Sequence, residues 1–409
     1  MLAPTSALAV ASVPSLARAE TAIPVQASYE KNRLTVETDD GNYRLRLQNR
    51  LQFRYAYPFD PDPRSLEDLN QDLSSFMVRR ARFKLEGHAF RPWLMWNFQY
   101  DWSQPVLRDF SFDIAKFDWL RFRIGRRKVL WNDERVTSSG RQQFVNRSIL
   151  NDLFTVDRQQ GIQVFGRLFP ETWADLSYYA GVFTGVGVGS RENDDQHMMY
   201  SGRLQWNVFG RELDFSQSDV EFHQQPAANI AGGVAHNISR CTAFETDARS
   251  CRALPTPRSD GSAFVEPGVA EAGRYEVDQA FFEFRIKWRG WYAKHEQHFK
   301  RVIDRQVPEG APGRQTDLQG TLYQLGYFPH YALPIVPRPL ELAARYAWVN
   351  PAAHVSHDHQ TELSGVANWF FSGHANKVSV ELSRLTVADP STRVTEARSR
   401  VRVQWDVSF

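Results

Sequence analysis

The 409-residue sequence has no long apolar run, only two cysteines and little net charge. A membrane-spanning helix needs roughly 18 consecutive apolar residues, and no segment of the chain approaches that length. The formal net charge of +2 gives no indication of a general affinity for nucleic acid. What the sequence does contain is aromatic residues, 12 Trp, 14 Tyr and 28 Phe, in a chain of negative mean hydropathy. Many aromatic residues without long apolar runs are typical of a membrane β-barrel, because each spanning strand alternates between apolar and polar residues and is not hydrophobic throughout.

The C-terminal residues 399–409 alternate strictly between polar and apolar side chains. The apolar ones are Val401, Val403, Trp405, Val407 and Phe409. A period of two predicts a β-strand with one apolar and one polar face. A strand that alternates up to a terminal aromatic is typical of the closing strand of an outer-membrane barrel, in which the apolar face meets lipid and the polar face meets a water-filled lumen.

Residues 43–57 alternate in the same way and carry Arg44, Arg46, Arg50 and Arg54 on one face. Charged groups gathered on one strand face are costly in a packed core and tolerated in a wet lumen. This strand therefore favours a barrel lumen over the core of a soluble sandwich.

Alternation and turn signals predict sixteen strands. They span residues 43–57, 75–89, 93–102, 107–116, 119–129, 161–169, 174–183, 200–208, 213–223, 275–288, 291–299, 318–327, 339–348, 361–371, 377–385 and 398–409. The connections between them alternate between long and short, which is the outer-membrane pattern of external loops and tight periplasmic turns. We expect an all-β fold: a 16-stranded antiparallel transmembrane β-barrel with long extracellular loops and both termini periplasmic.

The residues before the predicted barrel, which spans 43–409, have a different composition. Residues 7–16 are mostly apolar and precede Ala17-Arg18-Ala19, so we expect residues 1–19 to be a signal peptide. Residues 20–42 are polar and predict a periplasmic segment.

Both cysteines, Cys241 and Cys251, fall in one segment rich in Pro, Gly and Ser. In an oxidising compartment they could form a disulfide that closes a small loop. Two free thiols are the alternative.

Alternation directs many basic side chains to the lumen, mainly from the first, second, fifth and last predicted strands. The candidate pore-lining cations are Arg44, Arg46, Arg50, Arg54, Arg82, Lys84, Arg121, Arg123, Arg400 and Arg402. The first and last strands become neighbours when a barrel closes, so these charges would form one positive wall that raises the local anion concentration. The alternative is that each arginine pairs with a loop carboxylate and only braces the barrel.

Several short segments carry a family resemblance. They are Arg79-Arg80-Ala81-Arg82, Leu107-Arg108-Asp109, Ile124-Gly125-Arg126, Glu134 with Ser138-Ser139, Arg345-Tyr346 and the terminal Phe409. In these residues the chain resembles the phosphate-selective porin O/P family from about residue 42 to residue 409. The resemblance implies a trimeric, sixteen-stranded porin whose third loop, here residues 130–160, folds inward and narrows the lumen.

The resemblance also implies an anion-binding site at the constriction. Carried over residue by residue, that site consists of Arg79, Arg80, Arg135, Ser138, Ser139 and Arg147, with Asp109 opposite to limit the net charge. Guanidinium groups supply forked donors and serine supplies a rotatable one, which suits an oxyanion. Alternation alone points Arg80 into the lumen and Arg79 toward lipid.

The functional hypothesis is an outer-membrane porin for passive, anion-preferring diffusion of phosphate-like or polyphosphate-like ions, with the bilayer, small anions and two further copies of the chain as partners. We expect no cofactor, metal or enzymatic activity. His354, His357 and His359 share one predicted external loop, where a solvated loop is favoured over a metal site.

Two alternatives remain open from the sequence. A sugar-specific porin would need an aromatic track in the lumen, whereas alternation places nearly all Trp and Phe on the lipid face. A structural or partner barrel within a larger outer-membrane assembly would use residues 224–274, the longest predicted loop, as a docking element.

Overall fold

The computed structural model describes residues 22–30, 32–188, 190–244 and 251–409. Strands in these ranges form an antiparallel sheet that closes on itself into the predicted 16-stranded barrel. No helix in the described part of the chain has the length and apolar character that crossing a membrane requires. The predicted signal peptide, residues 1–19, lies outside the described residues.

The described strands fall into an N-terminal hairpin, the barrel wall and a small hairpin within a loop. They are β1 (Val25–Glu30), β2 (Arg33–Thr38), β3 (Arg44–Tyr57), β4 (Ser75–His88), β5 (Leu94–Asp101), β6 (Val106–Ile114), β7 (Arg121–Lys128), β8 (Arg158–Leu168), β9 (Leu176–Phe183), β10 (Met199–Asn207), β11 (Ala227–Ser239), β12 (Ala243–Phe244), β13 (Cys251–Arg252), β14 (Tyr275–Trp288), β15 (Trp291–Asp304), β16 (Gln315–Tyr327), β17 (Leu340–Asn350), β18 (Gln360–Ser372), β19 (Asn376–Asp389) and β20 (Val394–Ser408). The short helices are α1 (Leu66–Leu69), α2 (Asp133–Val136) and α3 (Asn151–Phe154).

The barrel closes between its first and last strands, because β20 pairs with the second half of β3, from Ser408↔Arg50 to Val401↔Tyr57. The first half of β3 pairs instead with β2. The hairpin of β1 and β2 therefore continues the wall beyond the end of β20. Residues 20–42, predicted to be a periplasmic segment, thus contain strands that are hydrogen-bonded to the barrel.

The connections differ at the two ends of the barrel, here called the loop end and the turn end. The loop end carries residues 58–74, 102–105, 129–157, 184–198, 240–274, 305–314, 351–359 and 390–393, and the turn end carries 89–93, 115–120, 169–175, 208–226, 289–290, 328–339 and 373–375. The tightest turn consists of Arg289 and Gly290, which both have positive φ. A two-residue hairpin turn needs positive φ at both positions to match the twist of its strands.

One predicted strand is wrong. Residues 213–223 alternate in sequence but form no strand, and the wall strand at this place is β11, which lies within the predicted loop 224–274. The alternation predicted a strand wrongly because residues 208–226 enter the lumen, where polar and apolar side chains are buried alike, as Leu213 and Gln217 are. Strand β11 was not predicted because it is rich in Gly and Ala, which are poor strand formers and produce little alternation of polar and apolar residues.

The outer surface carries an aromatic belt at the turn end. Its exposed members are Phe90, Phe117, Trp119, Phe169, Trp173, Phe209, Trp288, Trp291, Phe371 and Phe409. Aromatic side chains prefer the boundary between hydrocarbon and headgroups, so the belt marks one edge of a membrane-facing band.

A hydrophobic cluster occupies part of the lumen at the loop end. Loop residues including Leu69, Leu150, Phe154 and Phe264 pack there against wall residues such as Leu322. The expectation that nearly all Phe and Trp face lipid is therefore too broad, because loops folded into the barrel need apolar contacts of their own. Cys241 and Cys251 form a disulfide, with a Cα–Cα distance of 5.3 Å, in the loop of residues 240–274.

Candidate functional site

A β-bulge in β4 changes which arginines reach the lumen. The pairing of β4 with β3 skips Arg79, which lies between Val78 and Arg80. A bulge interrupts the alternation of side chains. Arg79 consequently lies among Arg54, Arg80 and Arg147, near enough for electrostatic interaction with each of them. The placement of Arg79 on the lipid side by alternation is wrong.

A second bulge in β6 has the same effect on Arg108. The pairing of β6 with β5 skips this residue, and its side chain is fully buried inside the barrel. Its Nε lies 3.7 Å from Asp101, and its Nη2 donates to Gln104 at 2.9 Å. Alternation did not identify Arg108 as a lumen residue, since a single strand pattern contains no sign of a bulge.

The third loop (residues 129–157) lies inside the lumen along the wall of β14–β19. Five buried wall glutamates accept hydrogen bonds from it, in the pairs Asp133 N to Glu283 (2.7 Å), Glu134 N to Glu296 (2.9 Å), Gln143 Nε2 to Glu341 (2.6 Å), Val145 N to Glu381 (2.9 Å) and Ile149 N to Glu362 (3.0 Å). The inward fold of this loop is confirmed, and the acidic residues of the lumen hold it in place.

Arg135 and Arg147 are bonded within the third loop. Arg135 forms an ion pair with Asp157, and Arg147 donates to the backbone oxygens of Glu134 at 2.7 Å and Thr137 at 2.9 Å. Burial, followed by the positive charge of Arg147, lowers the pKa of Arg135 well below its ordinary value. Burial also lowers the pKa of Arg147 to about 10. Both shifts follow from burial first; around Arg135 the further causes are the positive charges of Arg147, Arg158, Arg108 and Arg82, whereas around Arg147 the charge of Glu134 opposes the shift.

The two predicted serines contact the opposite, basic side of the lumen. Arg50 Nη1 donates to the hydroxyl of Ser138 at 2.8 Å, and Arg82 Nη1 to that of Ser139 at 3.4 Å. Arg82 is also bound to Asp101, with an Nε–Oδ2 distance of 2.7 Å. The serines thus lie where the third loop meets the wall of β3 and β4.

Asp109, predicted to oppose the anion, is instead bound by Arg158. The Nε and Nη2 atoms of Arg158 donate to its two carboxylate oxygens at 2.7 and 3.2 Å. Arg158 was missed because the predicted strand began three residues too late, which placed it in a loop. Its position as the first residue of β8 directs it toward β6.

The structure gathers these cations in one cluster, whose members are buried or half-buried. It comprises Arg79, Arg80, Arg82, Arg108, Lys128, Arg135, Arg147 and Arg158. Within the described part of the chain, Asp101, Asp109 and Asp157 form ion pairs with Arg82, Arg108, Arg135 and Arg158. Because like charges that lie close together repel one another, such a cluster is suited to a bound or passing anion.

A polar cavity of about 860 Å³ lies against this cluster. Its basic lining includes Arg46, Arg50, Arg82, Lys84, Arg123, Arg127, Lys128, Arg141, Arg158 and Lys287. Ser138 of the third loop also borders it, as do Asp214 and Glu221 of the turn-end connection 208–226.

The ten cations predicted to line the pore separate into three groups. Arg46, Arg50, Arg82, Lys84 and Arg123 line the cavity; Arg54, Arg400 and Arg402 are buried and paired with Asp60, Asp62 and Glu381; Arg44 and Arg121 pair with Glu37 and Asp118. Four of the cavity-lining cations are ion-paired as well, Arg50 with Asp406, Arg82 with Asp101, Lys84 with Glu86 and Arg123 with Asp113, so pairing does not exclude contact with the cavity, and the pore-lining role stays a prediction.

Many of the remaining lumen cations, on the far wall, are paired with acidic residues, whereas Lys300 and Lys377 donate to the backbone oxygens of Leu153 and Gln142. The ion pairs include Arg203–Glu283 at 2.6 Å, Arg285–Asp133 at 2.6 Å, Lys294–Glu296 at 3.0 Å and Arg345 with Glu362. Among the described residues, the cations that border the cavity are thus concentrated on the wall of β3–β8.

Comparisons with known proteins agree with this architecture. A family model described as phosphate-selective porin O and P matches residues 48–407. No curated relative matches the chain by sequence.

Several solved porin structures have the same fold. The anion-selective porin from Comamonas acidovorans has a TM-score of 0.56 at 10% identity, over 90% of this chain and 100% of that one. OmpT, an outer membrane protein of Vibrio cholerae, in its trimer form has a TM-score of 0.55 at 10% identity, over 90% and 99%. The outer membrane channel DcaP of Acinetobacter baumannii has a TM-score of 0.51 at 8% identity, over 91% and 99%. At these identities the likeness concerns the fold.

Proposed function

The chain belongs to the phosphate-selective porin O and P family, whose members are channels of the bacterial outer membrane, and from that premise we propose that its permeants are small anions, phosphate among them. The loop end would then be extracellular and the turn end periplasmic. The anion preference and the role of phosphate are our inference from the charges of the lumen.

The observation that carries the proposal is the one-sided charge of the lumen. The wall of β14–β19 carries five buried glutamates that bind the third loop, whereas the cations that border the cavity lie mainly on the wall of β3–β8. A low-dielectric tube with one basic wall attracts anions and repels cations. The cavity that adjoins this cluster gives an ion access to it.

The same arrangement keeps binding moderate. Arg82 and Arg158 are already bonded to Asp101 and Asp109, so an arriving anion would compete with these carboxylates for donors. Conduction requires sites that attract an ion but release it readily. We propose that Ser138 and Ser139 add neutral donors beside Arg50 and Arg82, while Arg135 and Arg147 hold the loop and contribute charge from behind it.

The proposal is tested by the reversal potential of the purified protein in a planar bilayer under a salt gradient. Wild type is expected to prefer chloride to potassium, and phosphate should reduce the chloride current. Arg82→Ala should lower the chloride preference severalfold, because it removes a cation beside the cavity. Arg301→Gln is the matched control, since Arg301 lies on the outer face and pairs with Asp317. A wild-type channel without anion preference would refute the proposal.

We also propose that the protein assembles as a homotrimer. The support is the trimer form in which OmpT of Vibrio cholerae, a structure with the same fold, was solved. Measuring the mass of the detergent-extracted complex tests this, and a monomeric mass would contradict it.

A structural barrel within a larger assembly is the second candidate, and one observation favours it. The hydrophobic cluster of loop residues fills part of the lumen at the loop end. The same bilayer experiment separates the candidates, because a plugged scaffold would pass little or no current through single molecules.

A further inference from the structure

The connection of residues 208–226, here called the inserted segment, enters the lumen from the turn end and meets the third loop. Gln217 is its central contact: its backbone N donates to the carbonyl oxygen of Arg141 at 2.9 Å, and its Oε1 accepts from the backbone N of Gln143 at 2.9 Å. Gln324 of the wall donates to the same Oε1 at 3.0 Å. The inserted segment is therefore held between the third loop and the wall.

Asp214 of this segment is placed between two cations. Its carboxylate lies 2.9 Å from Nη1 of Arg141 in the third loop and 3.5 Å from Nζ of Lys287 in β14. All three residues line the cavity beside the basic wall. The side chain of Asp214 is 47% exposed and that of Arg141 44% exposed, so both are open to an ion in the cavity.

The carboxylate of Asp214 is ionised at neutral pH. Its burial would raise the pKa, but the charge of Lys287, a hydrogen bond from Ser216 and the charge of Arg141 outweigh this effect and hold the pKa below its ordinary value. A permanent negative charge thus lies at the cavity, opposite the basic wall.

We propose that Asp214 is a selectivity-determining residue of the channel, whose carboxylate offsets the charges of Arg141 and Lys287 and so reduces the anion preference that the basic wall alone would produce. This inference rests on the proposed anion conduction. It assigns the inserted segment a part in selectivity beside that of the third loop.

The position of the segment does not depend on this carboxylate. The carbonyl oxygen of Asp214 accepts from Arg285 Nη1 at 3.0 Å and from the backbone N of Ser216 at 2.9 Å. Farther along, Ser218 donates to Glu341 at 2.9 Å. Because half-exposed ion pairs contribute little to stability, removing the charge should leave the fold unchanged.

The experiment compares Asp214→Asn with Glu212→Gln in planar bilayers under a potassium chloride gradient. Glu212 lies in the same segment, but its carboxylate pairs with Arg167 at 3.2 Å and does not line the cavity. We expect Asp214→Asn to raise the chloride-to-potassium permeability ratio about two- to threefold, since one fixed charge in a narrow path changes the local ion concentrations. Glu212→Gln should keep the wild-type ratio.

The double variant Arg141→Gln with Asp214→Asn separates an effect of charge from one of shape. It removes one charge of each sign, so its ratio should return toward that of wild type. If Asp214→Asn fails to insert, Asp214→Ser is measured in its place.

An unchanged ratio in Asp214→Asn, with an anion-selective wild type, would overturn this inference and leave the proposed function standing. A wild type without anion preference would refute the proposed function itself. A ratio in the double variant that stays as high as in Asp214→Asn would show that the negative charge acts without Arg141 and would overturn the pairing proposed here.

Discussion

The two sides of the lumen carry the same residue types and use them differently. On the wall of β14–β19, lumen-facing glutamates accept hydrogen bonds from the third loop and neutralise the neighbouring Arg and Lys. On the wall of β3–β8, several cations border an open cavity while they also pair with carboxylates such as Asp101, Asp109 and Asp113. Alternation assigns all these side chains to the lumen alike. The comparison teaches that a charge in a barrel lumen holds a loop where it has a buried partner and attracts an ion where it faces water.

Burial makes the two sides unequal in energy as well. Glu296 is fully buried and bonded to Lys294, His298, Asn132 and the backbone N of Glu134. Breaking such a buried network leaves charges without compensation, which costs several kcal/mol, whereas the half-exposed Arg141–Asp214 pair at the cavity is worth about 0–1 kcal/mol. The acidic wall of β14–β19 therefore holds the third loop in the lumen, whereas the charge of Asp214 or Arg141 at the cavity can be changed at little cost in stability.

The largest expected effect comes from removing one of the wall glutamates that bind the third loop. Glu296→Ala should release the start of the third loop and leave Lys294 buried beside Asp133 alone. We expect a loss of roughly 3–5 kcal/mol in stability and a clear rise in single-channel conductance as the loop leaves the lumen. Thermal unfolding in detergent and bilayer recording measure the two effects.

Glu396→Gln is the control for this experiment, since Glu396 binds Asn70 at the exposed loop end. Wild-type conductance in a folded Glu296→Ala barrel would mean that the remaining glutamates hold the loop without it.

A smaller effect is expected from the arginines within the loop. Arg135→Ala with Arg147→Ala should lower anion-over-cation selectivity and weaken the block of chloride current by phosphate, because two positive charges leave the cluster. The strands do not depend on either residue, so the barrel should stay intact. The reversal potential in a salt gradient checks this prediction.

The variant Arg147→Lys distinguishes the charge of Arg147 from its hydrogen bonds. Lysine keeps the charge but cannot reproduce the forked donation to the carbonyl oxygens of Glu134 and Thr137. If this variant changes conductance but not selectivity, Arg147 acts mainly on the shape of the loop. An unaltered reversal potential in the double alanine variant would leave the wall arginines as the source of selectivity.

The fold was largely predictable because alternation is imposed by the membrane on one face and water on the other. Fifteen of the sixteen predicted strands overlap observed barrel strands. The failures have local causes. The bulges at Arg79 and Arg108 are set by pairing between strands, which no single strand reveals. Residues 213–223 were mistaken for a strand because an inserted segment is buried among lumen groups, and β11 was hidden by its glycines.

The candidate site was less predictable than the fold. The family resemblance identified the arginines and serines that the structure brings close together, and the residues alone suggested a basic wall. The partner of Asp109 could not be foreseen, since Arg158 reaches it only after β6, β7 and β8 come together. The role of Asp214 was equally hidden, because it depends on a contact between two connections from opposite ends of the barrel.

The smallest expected effect concerns the two serines where the third loop meets the basic wall. Ser138→Ala with Ser139→Ala removes two neutral hydroxyls that accept hydrogen bonds from Arg50 and Arg82. Hydrogen bonds to charged groups contribute about 1.5–3 kcal/mol each, and the guanidinium groups keep their charge without the hydroxyls. Ser391→Ala, on an exposed loop, is the control.

The reversal potential in a chloride gradient should therefore not change in the double serine variant, since charge sets the preference for anions over cations. Discrimination among anions should change, because an oxyanion uses the directed donors that the serines supply and orient, whereas chloride does not depend on them. The phosphate concentration that halves the chloride current should rise severalfold. A shift in reversal potential without a change in phosphate block would mean that the hydroxyls act only by positioning Arg50 and Arg82.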